Sequence, residues 1–213
     1  MTTARRERAR GTAAARRRAA AARRRNRLVA AVCVGGVVLG ALLLLPVVQK
    51  TVNEFGLPLT NAGVIRQQAA EKHLDPALIA GVIYAETKFD PRSSAAGALG
   101  LMQVMPQTAE YLARRSGATT FTIADLGTPQ VNIAYGSYYL RYLLDEYHGN
   151  VIDALAAYNG GESNVDLWVA AARAHGHSLA VGDIPFPETR AYVAKVLSAE
   201  GQYRSKYAAQ LYG

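Results

Sequence analysis

The chain has 213 residues, half of them hydrophobic, which is enough for one domain of ordinary size with a packed core and excludes a wholly disordered protein. Its single cysteine, Cys33, excludes an internal disulfide framework and a cysteine-rich zinc site. The net charge of +8 is localised: residues 1–27 hold eleven Arg and one Glu, whereas residues 28–213 hold 13 Lys and Arg against 15 Asp and Glu, so a folded domain gripping nucleic acid through a basic face is not expected.

In chain order, residues 1–27 are mostly Arg, Ala and Thr, too poor in large apolar groups to offset chain entropy, and read as a disordered tail. Leu28–Leu45 carries no charge and is extended by Pro46-Val47-Val48. As a helix, these residues reach about 31 Å, the thickness of a bilayer's hydrocarbon core. The steep Arg asymmetry predicts a single-pass anchor over 28–48 with its N-terminus in the cytoplasm and the remainder exported. The alternative, a cleaved signal peptide, lacks a small-residue cleavage site after the apolar run. Both readings place the rest of the chain outside the cytoplasm.

Residues 49–61 read as a linker, 62–207 as a mainly α-helical domain and 208–213 as a C-terminal tail. No sustained period-2 alternation occurs past residue 60, and about seven helices are marked. The first lies near Ala62–His73. Asp75-Pro76 caps and opens a second that runs to about Thr87. Pro106 starts Gln107–Arg115, and Thr128-Pro129 starts a long helix to His148, closed by Gly149. Asn150 begins a short one through Tyr158; Glu162–Ala174 and Pro187–Tyr203 complete the set. Tyr135, Tyr138, Tyr139 and Tyr142 share one face of the long helix, a core stripe first and a sugar platform second.

Ile79, Val82, Ile83 and Glu86 stand at i, i+3, i+4 and i+7, so a glutamate continues an apolar face. Burial raises a carboxyl's pKa and leaves an acid able to donate its proton. Asp90-Pro91 ends the helix within a turn, which sets Glu86 at the edge of a cleft. The alternative is a glutamate reaching solvent from a fraying end. Beyond it lies the small-residue loop Ser93–Gly100, then Leu101-Met102-Gln103, where Gln103 offers an amide to a ligand. Tyr158 points inward with a hydroxyl that needs a partner, in the bland case a backbone carbonyl.

Glu86-Thr87-Lys88-Phe89-Asp90-Pro91, Gly97-Ala98-Leu99-Gly100-Leu101-Met102-Gln103-Val104-Met105-Pro106-Gln107-Thr108-Ala109, Asn132-Ile133 with Gly136 and Tyr139-Leu140, Ala157-Tyr158-Asn159, and Glu188-Thr189-Arg190-Ala191-Tyr192-Val193 follow one another in register. Together they resemble the SLT-type lytic transglycosylase domain, a relative of goose-type lysozyme, over residues 62–207. The resemblance implies a lysozyme-like, mainly α fold, which here follows the single N-terminal transmembrane helix read from the apolar run. It implies cleavage of the MurNAc–GlcNAc β-1,4 bond of peptidoglycan glycan strands, with no metal and no organic cofactor. By position Glu86 matches the catalytic acid, while Gln103, Met102, Tyr158, Asn159 and Glu188 match groove positions. Ala95 falls near a substrate-contacting serine of the family, a contact that Ser93 or Ser94 takes here, Ser94 being the candidate carried forward. Thr87 and Gly160 also depart from the commoner serine and alanine.

Ordinary glycosidases use two carboxylates. The resemblance implies one: neutral Glu86 protonates the glycosidic oxygen, the MurNAc acetamido group assists at C1, and Glu86 then takes the proton of the C6 hydroxyl as a 1,6-anhydro ring closes. Tyr158 positions the acetamido group or Glu86. A hydrolytic muramidase on the same fold and a non-catalytic wall-binding scaffold are the alternatives. No nucleic-acid partner is expected, and no particular cell-wall or secretion-machinery partner is implied.

Overall fold

The computed structural model describes residues 57–213, which form one unit. The expected tail, the anchor over 28–48 and most of the linker lie outside the described residues. Among the described residues no helix is long and apolar enough to cross a membrane.

The helices are α1 (Ala62–Lys72), α2 (Pro76–Thr87), α3 (Pro106–Ser116), α4 (Pro129–Glu146), α5 (Val151–Gly160), α6 (Glu162–Ala174), α7 (Pro187–Lys206) and α8 (Ala208–Tyr212). Proline occupies the first turn of α2, α3, α4 and α7, where its missing N–H removes nothing. Asp75 accepts from the Ala77 amide at 2.8 Å, and Asn150 accepts from Ile152 and Asp153 at 3.0 and 3.3 Å.

Ala77 through Ile83 are buried without interruption, so α2 is a central helix wrapped on all sides, more enclosed than its apolar stripe suggests. It packs most extensively on α7, whose Thr189, Tyr192, Val193, Val196, Ala199 and Tyr203 form a helical stripe. α5 lies between α4, α6 and α7. The α2–α3 connection holds a small antiparallel hairpin, β1 (Arg92–Ser93) with β2 (Leu99–Gly100), pairing Arg92 with Gly100 and Ser93 with Leu99. The sequence showed only a loop there, because two-residue strands leave no period to read.

Three other differences concern boundaries. α4 ends at Glu146, two residues early, because His148 and Gly149 both turn into the left-handed region. Residues 208–213 do not trail off: Leu211 is buried, Tyr212 donates to Asp75 at 2.5 Å, and Arg66 donates to the Gln210 carbonyl at 2.6 Å. At the other end Leu57 is buried, and Tyr207 and Tyr203 donate to the Leu57 and Pro58 carbonyls, each at 2.6 Å.

Candidate active site

α2 stops one residue after Glu86. Lys88 and Phe89 adopt successive left-handed conformations (φ 53° and 64°), an unfavourable choice for two non-glycine residues, offset by burying Phe89 against the Tyr203 ring at 5.8 Å. The helix therefore ends before Asp90-Pro91 forces it to. Thr87, pointing inward, donates to the Leu101 carbonyl at 2.8 Å and ties the helix end to the next motif.

Glu86 is half-buried, and desolvation pushes its carboxyl from the ordinary 4.5 up to about 7. Against that rise act the Tyr192 hydroxyl and two cations, Lys195 and Arg92. Tyr192 Oη is buried and meets no partner at full hydrogen-bond geometry, so it is poised at the carboxyl without being bonded to it. Tyr158 and Tyr192 are both raised well above the usual tyrosine range, by burial first and the Glu86 charge next, and stay protonated at neutral pH.

Tyr158 donates to the Met102 carbonyl at 2.9 Å, the backbone partner that the sequence allowed, so its proton is committed and its oxygen is left as an acceptor. Met102 itself is fully buried. Its thioether packs on Gly136, where a Cβ would stand 2.5 Å from the sulfur, and its amide donates to Asn132 Oδ1 at 2.8 Å. Met102, one of the expected groove positions, therefore has no exposed side-chain surface of its own and acts on its surroundings from within the core. Asn132, also fully buried, donates to the Leu99 and Leu126 carbonyls at 2.8 and 3.1 Å, so one side chain pins three backbone groups on two segments. Gly100 (φ 74°) is required beside it, since a Cβ would lie 2.2 Å from the Asn132 amide nitrogen.

Gln103 is left-handed (φ 48°), and its amide nitrogen donates to the Arg92 and Gly100 carbonyls, both at 2.8 Å. Its donors brace the hairpin, and only its amide oxygen remains for a ligand. Ser94 closes the hairpin turn, its hydroxyl accepting from the Ala98 amide at 3.0 Å; Ser93 is exposed.

Two cavities are lined by neighbours of Tyr158. One, of about 400 Å³, begins at Asn159 and Gly160 and includes Glu188 and Thr189; Asn159 and Glu188 are brought together on its exposed wall. Arg190 does not pair with Glu188: it donates twice to the Ile184 carbonyl, at 2.9 and 2.7 Å. The other, of about 420 Å³, is walled by Tyr139, Tyr142, Tyr111, Glu162, Gln107 and Thr108, and Tyr139 reaches Tyr158 with ring centroids 5.2 Å apart. The tyrosine stripe is half-buried: Tyr135, Tyr139 and Tyr142 pack against the core, and Tyr139 and Tyr142 also wall this cavity, while Ile133, Gly136, Leu140, Leu143 and Leu144 are the buried face of α4.

Lys195 and Arg92 did not emerge from the sequence. Lys195 lies one turn beyond Tyr192 on α7, and that spacing was the available signal.

A helical domain of lysozyme-like form, with one half-buried glutamate ending its central helix, is the class that this fold and site define. Residues 63–181 match the family described as the transglycosylase SLT domain, and the chain belongs to that family. It is 31% identical over 150 residues to the soluble lytic murein transglycosylase of Escherichia coli K12, covering 69% of this chain and 23% of that protein. It is 31% identical over 166 residues to membrane-bound lytic murein transglycosylase C of Cronobacter sakazakii, covering 68% and 46%. The structure superposes with a TM-score of 0.65 on an inactive glutamate-to-glutamine mutant of lytic transglycosylase Slt from Pseudomonas aeruginosa, at 31% identity, covering 72% of this chain and 25% of that one. The chain thus spans about a quarter of the length of the soluble relatives.

Proposed function

We propose that this chain is a membrane-anchored peptidoglycan lytic transglycosylase with Glu86 as its single acid and base. The observation that carries the reading is the setting of Glu86: half-buried at the end of a rigid helix, raised to about 7, with two protonated tyrosines close by and only cations among the charged groups acting on it. A carboxyl near 7 is populated in both protonation states at neutral pH, which a group acting first as acid and then as base requires. In the first step the Glu86 proton passes to the glycosidic oxygen as the C1–O bond breaks, with the MurNAc acetamido oxygen stabilising C1. In the second, the C6 hydroxyl bonds to C1 as its proton returns to Glu86, so no water is added. Tyr158, and Gln103 through its amide oxygen, position the sugar; Asn159, Glu188 and Ser94 contact it along the groove.

The relatives support this activity, since their names describe lytic murein transglycosylases and one is inactive as a glutamate-to-glutamine mutant. Both soluble and membrane-bound proteins occur among them. The apolar run over 28–48 favours the anchored form, with the domain outside the cytoplasm; secretion after cleavage is the alternative.

Digestion of purified sacculi followed by mass analysis tests the reading. Anhydro ends are the expected product, and Glu86→Gln should abolish their release. Products heavier by one water, about 18 Da, would make the protein a hydrolytic muramidase, and binding without release would make it a scaffold. Both outcomes overturn the proposal.

A further inference from the structure

The last turn of an α-helix leaves carbonyls without intrahelical partners and presents the negative end of the dipole. At the end of α2 the four carbonyls are divided. Tyr84 accepts from the Lys88 amide at 3.1 Å and Thr87 from the Asp90 amide at 3.1 Å. The two on either side of the Glu86 α-carbon accept from cations: Lys195 Nζ donates to Ala85 at 2.6 Å and Arg92 Nη2 to Glu86 at 3.0 Å. These cations come from different elements, α7 and β1, and each is held in place. The Lys195 ammonium lies 5.6 Å from the centre of the Tyr84 ring, and the Arg92 carbonyl accepts from Gln103 at 2.8 Å.

We propose that Lys195 and Arg92 form a two-cation clamp on the last turn of α2 that positions Glu86 and lets its carboxyl serve alternately as acid and base. The inference rests on the catalytic reading of Glu86 and adds two positioning residues to it. The helix terminus and the apolar surroundings both disfavour the Glu86 carboxylate; with nothing opposing them, the group would hold its proton too tightly to act as the base of the ring-closing step. The groups acting on it from the packed elements are Lys195 and Tyr192 on α7, Arg92 on β1 and Tyr158 on α5, while Lys88 at the same helix end acts on Lys195. Both cations lower the proton affinity of Glu86. Lys195 is half-buried and Arg92 exposed, so Lys195 is less screened by salt and has the larger effect.

The test uses the full chain in detergent with its glutamate carboxyls labelled with carbon-13, and follows the titration of Glu86 by NMR beside the pH dependence of anhydro-product release. Lys195→Met should raise the Glu86 midpoint by about half a pH unit or more and move the alkaline limb of kcat/KM by the same amount. Arg92→Met should shift both less, and Lys195→Arg should restore both. An unmoved midpoint in Lys195→Met and Arg92→Met would overturn the clamp even where release slows, since slowing alone reports only structural support. If Lys195→Met unfolds, Arg92→Met and Lys195→Arg decide: a rise in the former and a wild-type midpoint in the latter uphold the clamp, and any other pair refutes it. Because the NMR midpoint needs no turnover, a chain that releases no product would defeat the transglycosylase reading while still reporting on the clamp.

Discussion

The Tyr158 hydroxyl and the Met102 carbonyl, 56 positions apart, meet at 2.9 Å and join the end of α5 to the loop beyond the hairpin. The bond fixes the tyrosine beside Glu86 and holds the backbone that carries Gln103. Tyr158→Phe removes the donor and leaves a carbonyl unpaired, which should lower stability by about 1 kcal/mol. Activity should fall further, by about tenfold or more in kcat, because the oxygen proposed to position the sugar is also lost. Chemical denaturation and sacculus digestion on the same preparations separate the two effects.

The raised carboxyl of Glu86 has opposite consequences for activity and stability. In the proposed mechanism cleavage begins with the protonated form, so kcat/KM should decline as pH rises through about 7. The folded protein holds this proton more tightly than the unfolded chain, whose glutamate titrates near 4.5. The contribution to stability is therefore fully present below about 4.5 and is lost as pH rises through about 7. Glu86→Gln has no such proton, so it should match the wild type near pH 4 and exceed it above pH 8 by about 2–3 kcal/mol. Urea unfolding of both proteins across that range checks the sign.

What could be read in advance divides along physical lines. α6 runs from Glu162 to Ala174 as its pattern indicates, and the Asp75 and Asn150 caps act as short polar residues before helices do. Those signals are local. Glu86 was legible because a carboxylate on an apolar stripe is a local contradiction. The Lys195–Ala85 bond spans 110 residues and the Asn132 bonds up to 33, distances over which no periodicity carries information. The tyrosines of α4 were legible in part, for another reason. Two apolar stripes run along that helix: the aliphatic one is buried, whereas Tyr135, Tyr139 and Tyr142 pack against the core half-buried, because tyrosine hydroxyls favour a position within reach of water or a polar partner.

Asn132 offers a severe test of how the loop is held. It makes one accepting and two donating bonds with no exposure. Asn132→Leu keeps the approximate volume but strands the Met102 amide and two carbonyls, which should cost about 3 kcal/mol or more. Asn132→Asp keeps the acceptor for Met102 and loses both donors while adding a buried charge, so it should be no milder. Both variants should lose activity together with thermal stability, and either one remaining as stable as the wild type would contradict the arrangement described.

Gly136 tests the same loop by crowding. A methyl group there meets the Met102 sulfur at 2.5 Å and its Cβ at 2.7 Å, inside contact distance, with the methionine enclosed and unable to swing outward. Gly136→Ala gains about 1 kcal/mol in helix propensity, yet the overlap should outweigh it and leave a net loss of about 1–2 kcal/mol. Relief requires Met102 to move, and Met102 carries the carbonyl that holds Tyr158. Activity should therefore drop with stability, and the double variant Gly136→Ala, Met102→Leu, which removes the sulfur and terminal methyl, should recover part of both. Melting temperatures and anhydro-product release for the two single variants and the double variant give the coupling directly.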